Sequence, residues 1–182
     1  MYIAIIIIAL LIVLATIAIV LRIESRERIN PEDRAEISIR ESIYYTGMPL
    51  LPIELESGDR VNFILDSASN VSHINEDDLN LFVHNNTENS QNIMGIEGNS
   101  QSVDKATIVF SYKNNVFDIE ACKSNLSKTF KHFSQEIKKM YDTDVRVVGL
   151  LGNDFLTKYG YVLDFNDLIV YKRKKTKKSN NK

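Results

Sequence analysis

Apolar and polar side chains alternate with a period of two through much of the middle of the chain, which predicts short β-strands. The segment 51–56, LPIELE, shows this alternation, and residues 57–59, SGD, have the composition of a turn. The apolar segment 61–65, VNFIL, predicts a second strand that ends at Asp66. We therefore expect a strand–turn–strand unit that delivers an acidic residue into the following loop.

Further strands follow from the same pattern. Residues 103–112 and 115–122 alternate on either side of an Asn-rich turn, which predicts a hairpin. Residues 145–152 predict a strand that enters a glycine turn. The other predicted strands are VSHI at 71–74, YVLDF at 161–165 and LIVY at 168–171, the last two forming a hairpin. Residues 84–92, HNNTENSQN, are predicted to be a loop by composition.

One long segment has a helical period instead. Between residues 126 and 141, apolar residues are spaced four, three, four and three apart, with lysines on the other face, which predicts an amphipathic helix. These residues are Leu126, Phe130, Phe133, Ile137 and Met140. Two shorter helices are predicted, at 76–82 with Asn75 as N-cap and at 154–159 with Gly160 after the last turn. The middle of the chain is therefore expected to be mainly β with one substantial helix.

The two ends of the chain differ from the middle. Residues 3–21 are apolar apart from Thr16, and these roughly 19 residues come close to the roughly 20 that a helix needs to cross a bilayer. No Lys or Arg precedes the run and its small residues lie inside it, which favours an uncleaved single-pass anchor over a signal peptide. The predicted division is an anchor at 1–22, a polar linker at 23–47, one domain at 48–171 and a basic disordered tail at 172–182.

The charge distribution and the cysteine content bear on the membrane orientation, the compartment and the partners of the domain. Arg22, Arg26 and Arg28 follow the apolar run, which favours the cytoplasmic side for the domain. The single Cys122 excludes an internal disulfide, and we expect it to be a buried apolar residue. The tail, KRKKTKKSNNK, is typical of a solvated end, with attraction to anionic lipids as the alternative. Nucleic-acid binding is not expected, because no aromatic residues interleave with the basic ones.

Three segments carry the candidate chemistry. The first is ILDSAS at 64–69, in which an apolar strand delivers Asp66 into a turn of small residues. The second is MGIEG at 94–98, which has the two glycines expected of a hairpin tip. The third is VGLLGNDFL at 148–156, a strand that leads through Gly152 into a short helix.

In this order and spacing, the three segments resemble the retropepsin family of aspartic peptidases, over roughly residues 48–171. The resemblance implies a mainly β, single-lobe acid-protease barrel, into which the helix at 126–141 is inserted. It assigns Asp66 the catalytic role and Ser67 the role of locking two such turns together, with Ala68 and Ser69 completing the active-site turn. It assigns the substrate-covering flap to Gly95, Ile96, Glu97 and Gly98, and the structural turn behind the site to Gly152 and Asn153.

One catalytic Asp per chain implies a dimer. Peptide hydrolysis by this route needs one carboxyl as base and another as acid, and two carboxyls about 3 Å apart share a proton. The sequence has no second turn of this type, so the partner Asp66 is expected from a second copy of the chain. The expected activity is that of a membrane-anchored aspartic endopeptidase, with polypeptide substrates, attached through residues 3–21.

Two alternatives stay open. Ala68 stands where the retropepsin family usually has Gly, and a methyl group there would crowd the turn or the substrate. This departure favours a catalytically weak or inactive peptide-binding module on the same fold. The other alternative is a membrane-tethered β domain with a structural role, in which Asp66 would be an ordinary turn residue.

No metal or cofactor is expected. His73, His84 and His132 share no metal-like spacing and are predicted to be structural or exposed. We interpret Asp154 as a helix cap and Asp164 as an acid at a strand end. The chain contains no Gly-rich phosphate loop and no nucleophile elbow.

Overall fold

The computed structural model describes residues 13–18, 36–94 and 100–172. The chain divides into two compact units, Met1–Ala35 and Glu36–Lys182. In the first unit, residues 13–18 are helical and exposed. Within the described ranges, no helix is both long and apolar enough to span a membrane. The predicted anchor at 3–21 lies mostly outside these ranges.

The second unit contains ten strands and three α-helices in its described part. The strands are β1 Ile37–Ser38, β2 Leu50–Glu54, β3 Arg60–Leu65, β4 His73–Asn75, β5 Val83–Met94, β6 Ser100–Tyr112, β7 Asn115–Ser124, β8 Val147–Leu151, β9 Tyr161–Asp164 and β10 Ile169–Lys172. The α-helices are α1 Arg40–Thr46, α2 Ser127–Tyr141 and α3 Asn153–Tyr159, and Glu76–Leu81 forms a 3₁₀-helix. The fold is therefore mainly β, as the sequence predicts.

The strands form two sheets. The larger has seven strands in the order β2-β3-β8-β4-β7-β6-β5, and the smaller has the order β1-β10-β9. Strand β8 pairs parallel with β3 and antiparallel with β4, so it lies between the strand before Asp66 and the strand after it. The predicted hairpins β2–β3, β6–β7 and β9–β10 are all present as antiparallel pairs.

An aromatic core joins the sheets to helix α3. Phe63 and Phe155 are each at most 1% exposed, and both rings pack against Phe110, at centroid distances of 5.2 and 6.3 Å. Phe117 completes the group at 5.5 Å from both Phe110 and Phe155. Each buried ring contributes about 1.5–3 kcal/mol of transfer free energy, so this cluster holds β3, β6, β7 and α3 together.

The predicted linker at 23–47 is wrong in its second half. Strand β1 and helix α1 lie there, and Ile37 and Ile39 are 1% and 0% exposed. Strand β1 pairs with β10, which is distant in sequence, so its two residues give no local pattern that a sequence reading could detect. The folded unit therefore begins at Glu36 and not near Met48.

The predicted loop at 84–92 is also wrong, because these residues belong to β5. Among the described strands, β5 lies at the edge of the seven-stranded sheet and has β6 as its single partner. Its described side chains at residues 85, 86, 90 and 92 are exposed, which is why Asn and Ser are tolerated there. Backbone pairing with β6 fixes this strand, and composition does not reveal such pairing.

Helix α2 is present, but it buries only part of the predicted apolar face. Phe130 and Ile137 are 6% and 1% exposed, whereas Met140 is 61% exposed. The left-handed residue Asp142, with φ 52°, ends the helix at the predicted place. The apolar spacing therefore predicts the helix correctly and overestimates how much of it the domain covers.

The segment after Asn75 differs from the prediction in two ways. It is a 3₁₀-helix, and the Asn75 side chain makes no capping hydrogen bond to it. Instead the Asn75 amide donates to Asp78 Oδ2 at 2.6 Å, and its Oδ1 accepts from the Leu126 N–H and the Ser127 hydroxyl, each at 3.0 Å. Buried Asn75 therefore links this segment to the start of helix α2.

Candidate functional site

Asp66 lies in the loop that directly follows strand β3. Its N–H donates to the carbonyl of Leu151 at 2.9 Å, which ties the turn to the end of β8. Its Oδ1 accepts from the Ala68 N–H at 3.0 Å, and its carbonyl accepts from the Ser69 N–H at 3.3 Å. Asp66 is half-buried, whereas Ser67 and Ala68 are exposed. The turn therefore presents one oriented carboxylate at the surface of the chain.

The turn around Gly152 packs directly behind the Asp66 turn. The Asn153 N–H donates to the Ser69 carbonyl at 2.7 Å. A Cβ added to Gly152 would lie 2.6 Å from the Val71 carbonyl oxygen and 2.9 Å from that of Ser69. Only glycine fits this close approach of two backbones, and Gly152 and Asn153 both contact the loop that follows Asp66.

Ser72 and Asp154 form a polar link that the sequence reading missed. The Ser72 hydroxyl, fully buried, donates to Asp154 Oδ1 at 2.7 Å and accepts from the Gly152 N–H at 3.0 Å. The Ser72 N–H donates to Asp154 Oδ2 at 2.9 Å. Asp154 also accepts from the Phe155 N–H, but its main partner is Ser72, far away in sequence. No local signal could have paired these two residues.

His73 lies beside the same turn and pairs in register with Leu150 of β8. Its Nδ1 lies 2.9 Å from the Ser124 hydroxyl. Burial lowers the pKa of the His73 imidazole, and the negative charges of Asp154 and Asp66 partly offset this effect. His73 is thus half-buried beside the turn, and the charge of the candidate catalytic carboxylate acts on its imidazole.

The predicted flap residues Gly95, Ile96, Glu97 and Gly98 lie outside the described residues. The two arms that lead to them are described, because β5 and β6 pair antiparallel up to Met94 opposite Ser100. The role of these four residues therefore stays a prediction.

The described part of the chain contains no group of three or more His, Cys, Asp and Glu side chains that could hold a metal ion. Cys122 is buried, as predicted, and burial raises the pKa of its thiol. His84 Nδ1 lies 3.0 Å from the Phe82 carbonyl oxygen.

One cleft in the described part of the chain lies away from Asp66. Its volume is about 540 Å³, and its lining includes Leu55, Leu81, Phe82 and Val83. It lies between the β2–β3 turn and the start of β5. The exposed Asp66 turn instead faces solvent in a single chain. If the substrate site forms between two copies, a single chain would present only this open half.

The comparisons with known proteins are sparse. The scan against protein-family models and the search of curated proteins gave no match. Among solved structures, the fold is similar to the EIAV protease complexed with the inhibitor HBY-793. The identity is 15%, the similarity covers 65% of this chain and 93% of that protease, and the TM-score is 0.43.

Proposed function

We propose that the chain is a membrane-anchored aspartic endopeptidase of the retropepsin-like type, whose active site forms between two copies. The observation that supports this most is the Asp66 turn. It presents a half-buried carboxylate, oriented by the Ala68 N–H, next to exposed Ser67 and Ala68. The backbone of the Gly152 turn supports it from behind.

The proposed chemistry needs the Asp66 carboxyl of each copy. Two such carboxyls about 3 Å apart cannot both ionise, so one stays protonated. The ionised one takes a proton from a water molecule that attacks the peptide carbonyl, and the protonated one donates to the carbonyl oxygen. The carboxyl that took the water proton then donates it to the leaving amine as the C–N bond breaks. The other carboxylate takes back a proton from a hydroxyl of the tetrahedral intermediate, which restores the single proton of the dyad.

The geometry of the turn fits a symmetric dimer. Ser67 and Ala68 are exposed in the single chain, so they are free to be covered by the same turn of a second copy. Attachment through residues 3–21, with the folded unit on the cytoplasmic side, would favour dimerisation by confining both copies to one surface.

The backbone at Ala68 supports an active enzyme. Among the described non-glycine residues, positive φ occurs at Lys113, Asp142 and Leu168, and Ala68 does not share it. Ala68 therefore does not adopt the left-handed backbone conformation that would require Gly at this position. The remaining argument against catalysis is steric, because a substrate would approach the turn at the exposed Ala68 methyl group.

Replacing the candidate catalytic residue tests the proposal. The full chain and its Asp66→Asn variant would be incubated with a peptide library at mildly acidic pH, and new termini identified by mass spectrometry. We expect cleavage by the parent chain and none above background by Asp66→Asn. Glu56→Gln, at an exposed residue on the β2–β3 turn, is the matched control and should cleave like the parent. Equal cleavage by parent and Asp66→Asn would refute the assignment.

The second candidate function is a binding module on the same fold, which the Ala68 methyl group favours. Ala68→Gly distinguishes the two. If only this variant cleaves the library, the natural chain is a binder, and if the parent cleaves efficiently, the module hypothesis is rejected.

A further inference from the structure

An aromatic cluster lies exposed where helix α1 meets the end of helix α2. Tyr44 is 73% exposed, Tyr45 and Tyr141 are each 41% exposed, and Met140 is 61% exposed. The ring centroids of Tyr44 and Tyr45 are 5.0 Å apart and those of Tyr45 and Tyr141 are 6.4 Å apart, both edge to face. We call these four residues the α1–α2 aromatic patch. Such a grouping differs from the single exposed apolar residues found on any protein surface.

The charges next to the patch balance one another. Lys138 Nζ lies 2.8 Å from Asp144 Oδ1, and Lys139 Nζ lies 2.6 Å from Glu136 Oε1. The two lysines of α2 next to the patch are therefore paired with acids, whereas the exposed Lys128 and Lys131 lie further back along the helix. Additional electrostatic attraction beside the patch has to come from residues outside these two pairs.

Both ends of the folded unit emerge close to helix α1. Strand β1 pairs antiparallel with β10, and the Glu36 N–H donates to the Val170 carbonyl at 2.9 Å. Helix α1 starts at Arg40, directly after Ile39, and its seven residues span about 10 Å. The start of the folded unit, the last described residue Lys172 and the patch-bearing helix therefore belong to one region of the fold.

The segments that continue from these two ends have opposite character. Upstream, the apolar run at 3–21 is joined to Glu36 by residues 22–35, which can reach at most about 50 Å. Downstream, the tail has six basic residues and no acidic one between Lys172 and Lys178. An apolar run and a Lys-rich segment that both connect to this region match the two parts of an anionic bilayer, its hydrocarbon core and its headgroups.

We propose that the α1–α2 aromatic patch rests in the headgroup region of an anionic bilayer, with the Lys-rich tail binding the anionic lipids. This inference relies on the membrane attachment in the proposed function and not on its catalytic part. Tyrosine suits the interface because its ring is apolar and its hydroxyl is polar. The tail supplies the charge that the paired residues of α2 do not supply.

The chain contains no tryptophan, so a single Trp reports on the patch alone. The full chain carrying Tyr44→Trp would be reconstituted in vesicles of phosphatidylcholine and phosphatidylserine that contain brominated lipids, and fluorescence quenching measured. Asn92→Trp is the matched control, because Asn92 is exposed and lies far from both ends of the unit. Asn92 pairs with Ser102 of β6, and Lys113, eleven residues further along the chain, contacts the Glu36 carbonyl through its Nζ. Eleven residues of extended strand span roughly 35 Å, which is the separation expected between this control and the ends of the unit.

We expect several-fold greater quenching for Tyr44→Trp than for Asn92→Trp. Replacing Lys174, Lys175, Lys177 and Lys178 by Gln, or omitting phosphatidylserine, should reduce the difference without releasing the chain from the vesicles.

Equal quenching of the two variants in a chain that floats with the vesicles would overturn the inference and leave the proposed function standing. A parent chain that does not float would overturn both the inference and the membrane attachment. A concentration-dependent blue shift of Tyr44→Trp in detergent, without lipid, would show that a second copy covers the patch and would also overturn it.

Discussion

Single residues around Asp66 control how closely two backbones approach. Gly149 and Gly152 have no space for a side chain, because a Cβ at Gly149 would lie 2.6 Å from Phe63 Cε1 and one at Gly152 would meet the Val71 carbonyl. Neither glycine is needed for a left-handed backbone, since the described positive-φ glycines are Gly47, Gly58 and Gly160. The sequence predicts a glycine turn here, and the structure supplies the reason for it.

Gly152→Ala is therefore expected to destabilise the fold by about 1–3 kcal/mol, as overpacking does, because the Val71 and Ser69 carbonyls would have to move. Urea unfolding of the full chain in detergent measures this change. Asn70→Ala, at an exposed position of the same loop, should unfold at nearly the parent's urea concentration. An unchanged midpoint for Gly152→Ala would contradict the close packing of the two turns.

The free energy of unfolding is expected to depend on pH through His73. Burial holds its pKa below the ordinary value of about 6.5, and Asp154 and Asp66 only partly oppose this. As the pH falls through about 6.5, the unfolded chain takes up a proton on this imidazole before the folded chain does, so stability decreases. The loss continues until the pH reaches the folded-state pKa.

His73→Gln should remove that part of the stability loss, so the variant's unfolding free energy should change less than the parent's between pH about 7 and 5. The measurement is urea unfolding at a series of pH values. His132→Gln, on the exposed side of helix α2, serves as the control and should retain the parent's pH profile. Identical profiles for parent and His73→Gln would show that the imidazole does not carry this effect.

At the scale of elements, local pattern predicted the elements whose signal is contained in a few adjacent residues. Strands β2, β3, β6 and β7 alternate clearly, and helices α2 and α3 have the apolar spacing and end signals expected of them. Strands β1 and β5 were not predicted, since the first has two residues and the second is polar along its exposed edge. Both are defined by pairing, β1 with β10 and β5 with β6, and the sequence predicts these partner strands but not the pairing.

The contribution of β1 can be measured by comparing two truncated chains. One begins at Glu36 and keeps β1, and the other begins at Glu41 and loses Ile37 and Ile39, both buried. Truncating a buried isoleucine to alanine lowers the free energy of unfolding by about 2–5 kcal/mol. The shorter chain should therefore unfold at a much lower temperature or fail to fold. Ile37→Ala in the full chain tests the same contact without a change of length. Equal melting temperatures for the two truncated chains would show that β1 is dispensable.

At the scale of the whole molecule, the proposed site depends on assembly, because one chain supplies a single Asp66 turn and an open surface beside it. The exposed Ser67 and the flap residues 95–98 acquire their proposed roles only in a dimer. Activity should therefore follow the concentration of dimer and not that of the chain.

Mixing experiments make that dependence measurable. Excess Asp66→Asn chain, added to the parent and allowed to exchange in detergent, should lower cleavage, because a mixed dimer has one catalytic carboxyl where two are needed. Glu56→Gln chain added in the same excess should not lower it. If Asp66→Asn also leaves the rate of the parent unchanged, the active species is not a dimer that shares its carboxyls.

The sequence by itself determined the mainly β class, the order of the three candidate segments, the position of Asp66 at a strand end and the helix predicted at 126–141, because each of these depends on neighbours within a few residues. Only the tertiary structure decided that the fold starts at Glu36, that residues 83–94 are a strand, and that Ser72, Asp154 and Gly152 meet behind the Asp66 turn. These features arise from contacts between residues far apart in the chain, such as the 82 positions between Ser72 and Asp154. Hydrogen-bond partners and close backbone approach are properties of the folded geometry, and no local pattern of side chains specifies them.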